Sequence, residues 1–137
     1  MNESLRLQDA TAQDIQLELI RRTEFNSFDG AVIYHSLMKN RELWQAVVLD
    51  RPGYFNAEMH RLSCSGLIKL RDLSDNFWNA DVLFILTESR MMAQRLVEVA
   101  ESDGWSADEM TVIDDVNEII NAMGTNEPCA IVKMWWD

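Results

Sequence analysis

Residues 82–86, Val-Leu-Phe-Ile-Leu, form the longest uninterrupted apolar run in the chain, and they constrain the fold more than any other feature. A helix that crosses a bilayer needs roughly 20 apolar residues, so no segment of this sequence is expected to span a membrane. A run this short, bounded by Asp81 and Thr87, reads as a strand covered on both faces and therefore as the centre of a sheet.

The segments that follow alternate with it. Ser89 is placed to cap a helix whose Met92, Leu96, Val99 and Ala100 share one face and whose end is marked by Gly104. Residues 107–123 admit two readings. Ser106-Ala-Asp-Glu109 resembles a capping box, and Val112, Val116, Ile119, Ile120 and Met123 would line one long helix. The β-branched run Thr111-Val112-Ile113 instead favours a strand, after which Asp114 or Asp115 caps a fresh helix ending at Gly124. We adopt the second. With a last strand over Cys129 to Trp136, residues 81–136 read β-α-β-α-β, an α/β pattern whose expected form is a small, mostly parallel sheet of three or four strands. Residues 67–71 would add an edge strand. The single-helix alternative would make the fold α+β.

The first half carries helical spacing. One helix is expected from Thr11 to about Thr23 through Ile15, Leu19 and Ile20, with Phe25 and Phe28 plugging its end. A second begins near Asp29 with Val32, Ile33 and Leu37, a third near Asn40 with Leu43, Trp44, Val47 and Val48, and a weaker one covers Ala57 to Cys64. No Gly/Ser/Pro-rich linker or repeat divides the sequence, and Arg51-Pro52-Gly53-Tyr54 reads as a turn. The expectation is a single domain, residues 1–137, with 1–66 mostly helical and 67–137 carrying the sheet. A chain of this length buries about 65–70% of its unfolded surface, enough for a core without disulfides.

Charge narrows the function classes. Twelve basic against 23 acidic residues give a net charge of −11, which repels a phosphate backbone and argues against nucleic acid as a ligand. The excess is uneven: residues 1–50 carry −3, residues 51–100 sum to zero, and residues 101–137 carry −8. Within 101–118 there are seven acids and no base. Such a single-sign surface suits docking of a basic protein partner. The candidate contact residues are Asp103, Asp108, Glu109, Asp114, Asp115 and Glu118. Trp136 joins them: side chains alternate along a strand, so either the sheet is covered on both sides at Trp135-Trp136 or one indole is left for a partner as a hot spot. The expected function is that of an adaptor, inhibitor or immunity-type protein.

The alternative is catalytic. If a strand ends at Ile113, Asp114 and Asp115 emerge at its carboxyl end, with Thr87, Glu88 and Ser89 on the same sheet edge, where open sheets place ligands. Carboxylates there suit magnesium, and Ser89 with Arg90 at a helix start suits a phosphate, giving a magnesium-dependent phosphate-handling enzyme. No cofactor is expected outside that alternative, and no catalytic residue is assigned. His60 and Cys64, four apart and next to Ser65, form an imidazole–thiol pair only on a helix and lack a third group. They and His35 read as packing or surface residues. Cys64 and Cys129, 65 positions apart, read as separate reduced core thiols, and no GxGxxG, HExxH or GxSxG motif is present. The first ten residues lack the layout of a secretory or transit signal, so the expectation is a cytoplasmic protein, with homodimerisation open to it through an exposed edge at Leu67 to Arg71.

Overall fold

The computed structural model describes residues 5–50, 70–77 and 80–137. The expected helix over 57–64, residues 67–69 of the expected edge strand, and His60, Cys64 and Ser65 lie outside them. Helix α1 (Ala12–Arg22) starts where its cap chemistry places it. Thr11 Oγ1 accepts the Asp14 N–H while the Asp14 carboxylate accepts the Thr11 N–H, both at 3.0 Å, closing two of the orphan donors of the first turn. Near its other end the Arg21 guanidinium pulls the Glu18 carboxyl down to about 2, against partial burial and with help from Arg22.

A tight hairpin of β1 (Glu24–Phe25) and β2 (Phe28–Asp29) then reverses the chain at Asn26, which takes φ 55°. Asp29 accepts the Val32 N–H and caps α2 (Gly30–Lys39). Here α2 meets α1 backbone to backbone. The Gly30 N–H donates to the Thr23 carbonyl at 2.9 Å, and a Cβ on Gly30 would lie 1.8 Å from the Ile20 carbonyl oxygen. Phe28 is buried and meets Trp136 edge to face, 4.8 Å between ring centroids.

The third expected helix is absent. Arg41–Leu43 makes a single 3-10 turn, and Ala46–Asp50 is strand β3. The Trp44 indole N–H donates to the Leu37 carbonyl, folding the chain back on α2. Val47 and Leu49 are buried while Val48 is exposed, so the period is two. The helical reading arose because Leu43, Trp44, Val47 and Val48 also satisfy three-and-four spacing; β-branched Val47-Val48 decides for the strand.

The remaining elements are β4 (Val82–Thr87), α3 (Arg90–Ser102), β5 (Glu109–Ile113), α4 (Val116–Met123) and β6 (Ala130–Trp135). Residues 107–123 are thus strand then helix. Asp115 accepts the Glu118 N–H, and Gly124 ends α4 at φ 68°. The chain is mixed α/β, but its four-stranded sheet, ordered β3-β4-β6-β5, is antiparallel at every pairing. This corrects the mostly parallel sheet expected from sequence, and the two connecting helices explain the difference. Thirteen-residue α3 is about 20 Å long, buries Ala93, Leu96 and Ala100, and carries the chain back along the sheet, so β5 runs parallel to β4. Eight-residue α4 is only about 12 Å long and buries Ile119 alone. It stays at the end where β5 finishes, so β6 starts there, runs back, and inserts between β4 and β5.

Helices α1 to α3 cover one sheet face, whose buried row includes Val47, Leu49, Leu83, Ile85, Val132, Met134 and Trp136. On the other face Phe84, Leu86, Ile113, Ile131 and Trp135 are half-buried and Val48, Thr111 and Lys133 exposed. The expected strand at residues 67–71 is not one at its described end, because Leu70–Asp75 forms a 3-10 helix.

Hydrogen-bond phase sets which backbone groups face outward at each edge. The Trp136 N–H donates to the Asp81 carbonyl, which makes Val82 and Trp135 a non-hydrogen-bonded pair and turns Val82 toward β3. Ala46, Val48 and Asp50 therefore exchange bonds with β4, and Val47 and Leu49 point outward. Both are met by α1. The Gln13 side-chain amide donates to the Val47 carbonyl at 2.9 Å and accepts its N–H at 2.8 Å, and Gln16 accepts the Leu49 N–H at 3.0 Å.

Two substitutions test this packing. Gly30→Ala should force α1 and α2 apart and lower unfolding free energy by about 1–3 kcal/mol, the usual cost of overpacking, in urea titration. Gln13→Met keeps the volume but orphans both groups of Val47, and should cost about 1–3 kcal/mol with new concentration-dependent association through β3; a monomer of wild-type stability would contradict this account of the edge.

Candidate functional site

The acidic residues singled out by the sequence lie along one margin of the molecule, the turn before β5, the strand itself and the start of α4. Gly104 turns the chain in the left-handed region at φ 71°, as does Ser106 at φ 61°. Between them Trp105 is buried and its carbonyl accepts the Trp136 indole N–H at 2.7 Å. That anchor fixes where the following acids emerge.

Each acid has its own surroundings. Asp103 caps the end of α3, is half-buried, and accepts the Ser36 hydroxyl at 2.6 Å, so it ties α2 to α3. Asp108 is exposed and accepts the Asp137 N–H at 2.6 Å. Glu109 opens β5 and is exposed, its register partner on β6 being Trp135. Beyond the strand, half-buried Asp114 pairs with Arg90 at 3.1 Å, Asp115 caps α4, and Glu118 lies exposed in that helix's first turn, where its dipole favours negative charge. The structure therefore brings Asp108 with Glu109, and Asp114 with Asp115 and Glu118, and separates the two groups along β5, Glu109 and Asp114 lying about 17 Å apart on an extended chain.

Trp136 is no surface contact. It is 0% exposed, packed under the helices edge to face with Phe28, and this corrects its expected place in the docking surface. Trp135, on the opposite face, is the half-exposed indole. The signal was present in the sequence: Lys133 points outward, and period two assigns Trp135 to its row and Trp136 to that of Val132 and Met134.

The residues of the catalytic alternative come together only in part, since Asp114 lines a common cavity with Glu88, Ser89 and Arg90 while Asp115 and Thr87 do not. A cavity of about 330 Å³ at the carboxyl ends of β4 and β5 is lined by Glu88, Ser89, Arg90 and Asp114 with Val116 and Ile119. The side chains of Ser89, Arg90 and Asp114 have local partners. Ser89 Oγ accepts the Met92 N–H, Thr87 is buried and its hydroxyl donates to the Ala130 carbonyl, and Asp114 faces Arg90. Among the described residues no group of three or more Asp, Glu, His or Cys side chains is arranged to hold a metal ion. Cys129 is a half-buried free thiol rather than a fully buried one, and His35 is exposed on α2.

Sequence reading passed over Asp81. It is 5% exposed, its Oδ2 accepts a long bond of 3.4 Å from Asn26, and its Oδ1 has no hydrogen-bond partner. Burial pushes its carboxyl above the ordinary aspartate range, Asp137 nearby adds to the rise, and the Trp135 indole and its own backbone N–H act against it. An acid directly preceding the central apolar run was the signal available.

A raised folded-state value means that the native state binds this proton more tightly than the unfolded chain. The stabilising contribution is complete below the unfolded aspartate range and is lost as pH rises through the folded value. Asp81→Asn should therefore be neutral or stabilising at pH 7 and lose that advantage in acid. Thermal melts of both proteins between pH 3 and 7 check this, and an advantage for wild type that grows with pH would overturn it.

Among the described residues no helix is long and apolar enough to cross a membrane. Comparison with protein-family models, with curated proteins and with solved structures gave no match to this chain.

Proposed function

We propose that this chain is an acidic protein-interaction module, of the adaptor, inhibitor or immunity type, that docks a basic protein partner along the β5 margin. The observation that carries the reading is the exposure of Asp108, Glu109, Asp115 and Glu118 around one strand, in a stretch of sequence, residues 101–118, that contains no base. A field of one sign speeds encounter and selects against like-charged partners. The net charge of −11 supports a basic protein over nucleic acid, and a cytoplasmic setting fits a chain used in this way.

The magnesium-dependent, phosphate-handling reading has the cavity beside Ser89 and Arg90 in its favour. The Arg90–Asp114 ion pair weighs against it, because the cation already occupies the carboxylate that magnesium would need. A rise in melting temperature specific to magnesium, above a potassium control of equal ionic strength, would move the reading to it.

Glu109 and Glu118 are the cleanest positions for a test, since neither side chain caps a helix or joins an ion pair among the described residues. Glu109→Lys with Glu118→Lys should weaken binding of a fluorescent Lys-rich peptide roughly tenfold or more at low salt, with an unchanged circular dichroism spectrum. Glu24→Lys with Glu42→Lys makes the same change in net charge elsewhere and should have a smaller effect. Equal losses from both pairs would leave only non-specific attraction and overturn the reading.

A further inference from the structure

We infer that the outer edge of β5 is a strand-addition site that takes an extended, basic segment of a partner protein. This rests on the acidic-docking reading and specifies its geometry. Because Val82 and Trp135 form a non-hydrogen-bonded pair on the β4 side, Trp135 turns its N–H and C=O toward β5, and the Asp108 N–H is found on its carbonyl at 2.8 Å. Glu109, Thr111 and Ile113 then exchange bonds with β6, and Met110 and Val112 direct their N–H and C=O away from the sheet.

Among the described residues nothing bonds those four groups. The contrast with β3 is direct: at that edge three of the four equivalent outward groups are met, both of Val47 by Gln13 and the Leu49 N–H by Gln16. An unpaired edge is a template for another strand unless something blunts it, and among the described residues one edge is met by side chains and the other is left open.

Charge at the open edge selects the occupant. Asp108 and Glu109 stand at one end, Asp115 and Glu118 at the other, and Asp114 is offset by Arg90. A second copy of this chain fits badly, because it brings the same acidic margin to the edge and each chain carries −11. A basic strand fits both ends. Strand addition draws affinity from main-chain bonds and specificity from alternate side chains. The added strand would set one row of side chains beside half-buried Met110 and Val112 and the other beside Glu109 and Thr111, so the segment recognised alternates apolar and basic residues.

The test uses the full chain, ¹⁵N-labelled, titrated with acetyl-Lys-Val-Lys-Val-Lys-Val-Lys-amide and with the same peptide methylated at every backbone nitrogen. The charge is unchanged by methylation and the strand's donors are removed. The inference expects the Met110 and Val112 amides to shift and become protected from exchange with the first peptide, and the methylated peptide to bind at least roughly tenfold more weakly. Val112→Pro removes an outward N–H without taking a bond from β6, and should reduce binding of the unmethylated peptide similarly. Equal binding of the two peptides with unmoved Met110 and Val112 amides would overturn strand addition and leave acidic docking standing. Failure of both peptides to bind the folded protein would overturn both. Concentration-dependent shifts of the same amides without peptide would make a second copy the occupant and overturn the basic-segment assignment.

Discussion

The insertion of β6 between β4 and β5 is the constraint on which the rest of the molecule depends. It gives β6 two hydrogen-bonded neighbours, so that Val132, Met134 and Trp136 form the middle of the buried row. It also makes β5 a margin, although β5 runs in the direction a central parallel strand would. Trp136 secures the arrangement at one end. Its ring packs on Phe28 of the first hairpin and its indole N–H reaches the Trp105 carbonyl, linking the turn after α1 to the turn before β5. Loss of this side chain would leave a large void and an unpaired carbonyl together, in a core where cavities are costly.

The same phase of hydrogen bonding decides what each edge exposes. Gln13 and Gln16 lie three residues apart on α1, about 4.5 Å along its axis, while Val47 and Leu49 lie two apart on β3, about 6.8 Å along the strand. The length of the glutamine side chain takes up the difference. Such closure works only if α1 is held in register with β3, and the Thr11–Asp14 cap and the close contact at Gly30 both serve that placement. Among the described residues no helix performs this service for β5, because α3 is committed to the inner face of the sheet and α4 stays at its end.

Sequence patterning made the caps and the central strand legible. Helices start at Thr11 and Asp29 as expected, Ser89 caps the third, and of Asp114 and Asp115 it is Asp115 that caps the fourth, since cap chemistry is local and needs no knowledge of the tertiary fold. Strand direction was not legible. The β-α-β-α-β order of residues 81–136 is present, but whether a connection crosses the sheet depends on how much of its helix is buried, and α4 has a sequence stripe, Val116, Ile119, Ile120 and Met123, that the fold buries only at Ile119. The third helix failed where two periods coincide, at Leu43 to Val48. Within the candidate site the acids were visible as charge, while their division into two groups, the burial of Trp136 and the isolation of Asp81 depend on β6 pairing and were not.

That division bears on what the margin can do. At physiological ionic strength charges more than about 8 Å apart are largely screened from one another, and the two acidic groups are separated by the length of β5. They act as two independent sites more than as one diffuse field. A compact basic group can neutralise either end and gains nothing from the other. An extended segment running beside β5 reaches both, and its main chain crosses the stretch between them where Met110 and Val112 offer backbone groups. The attraction at each end then adds to pairing along the strand, and register is fixed by the alternation of side chains. Several of the acids also have structural work, Asp115 as a cap, Asp114 with Arg90 and Asp108 with the Asp137 N–H. Those bonds hold the charges where a bound strand would meet them, so on the proposed reading local stability and recognition would place the same demand on the same residues.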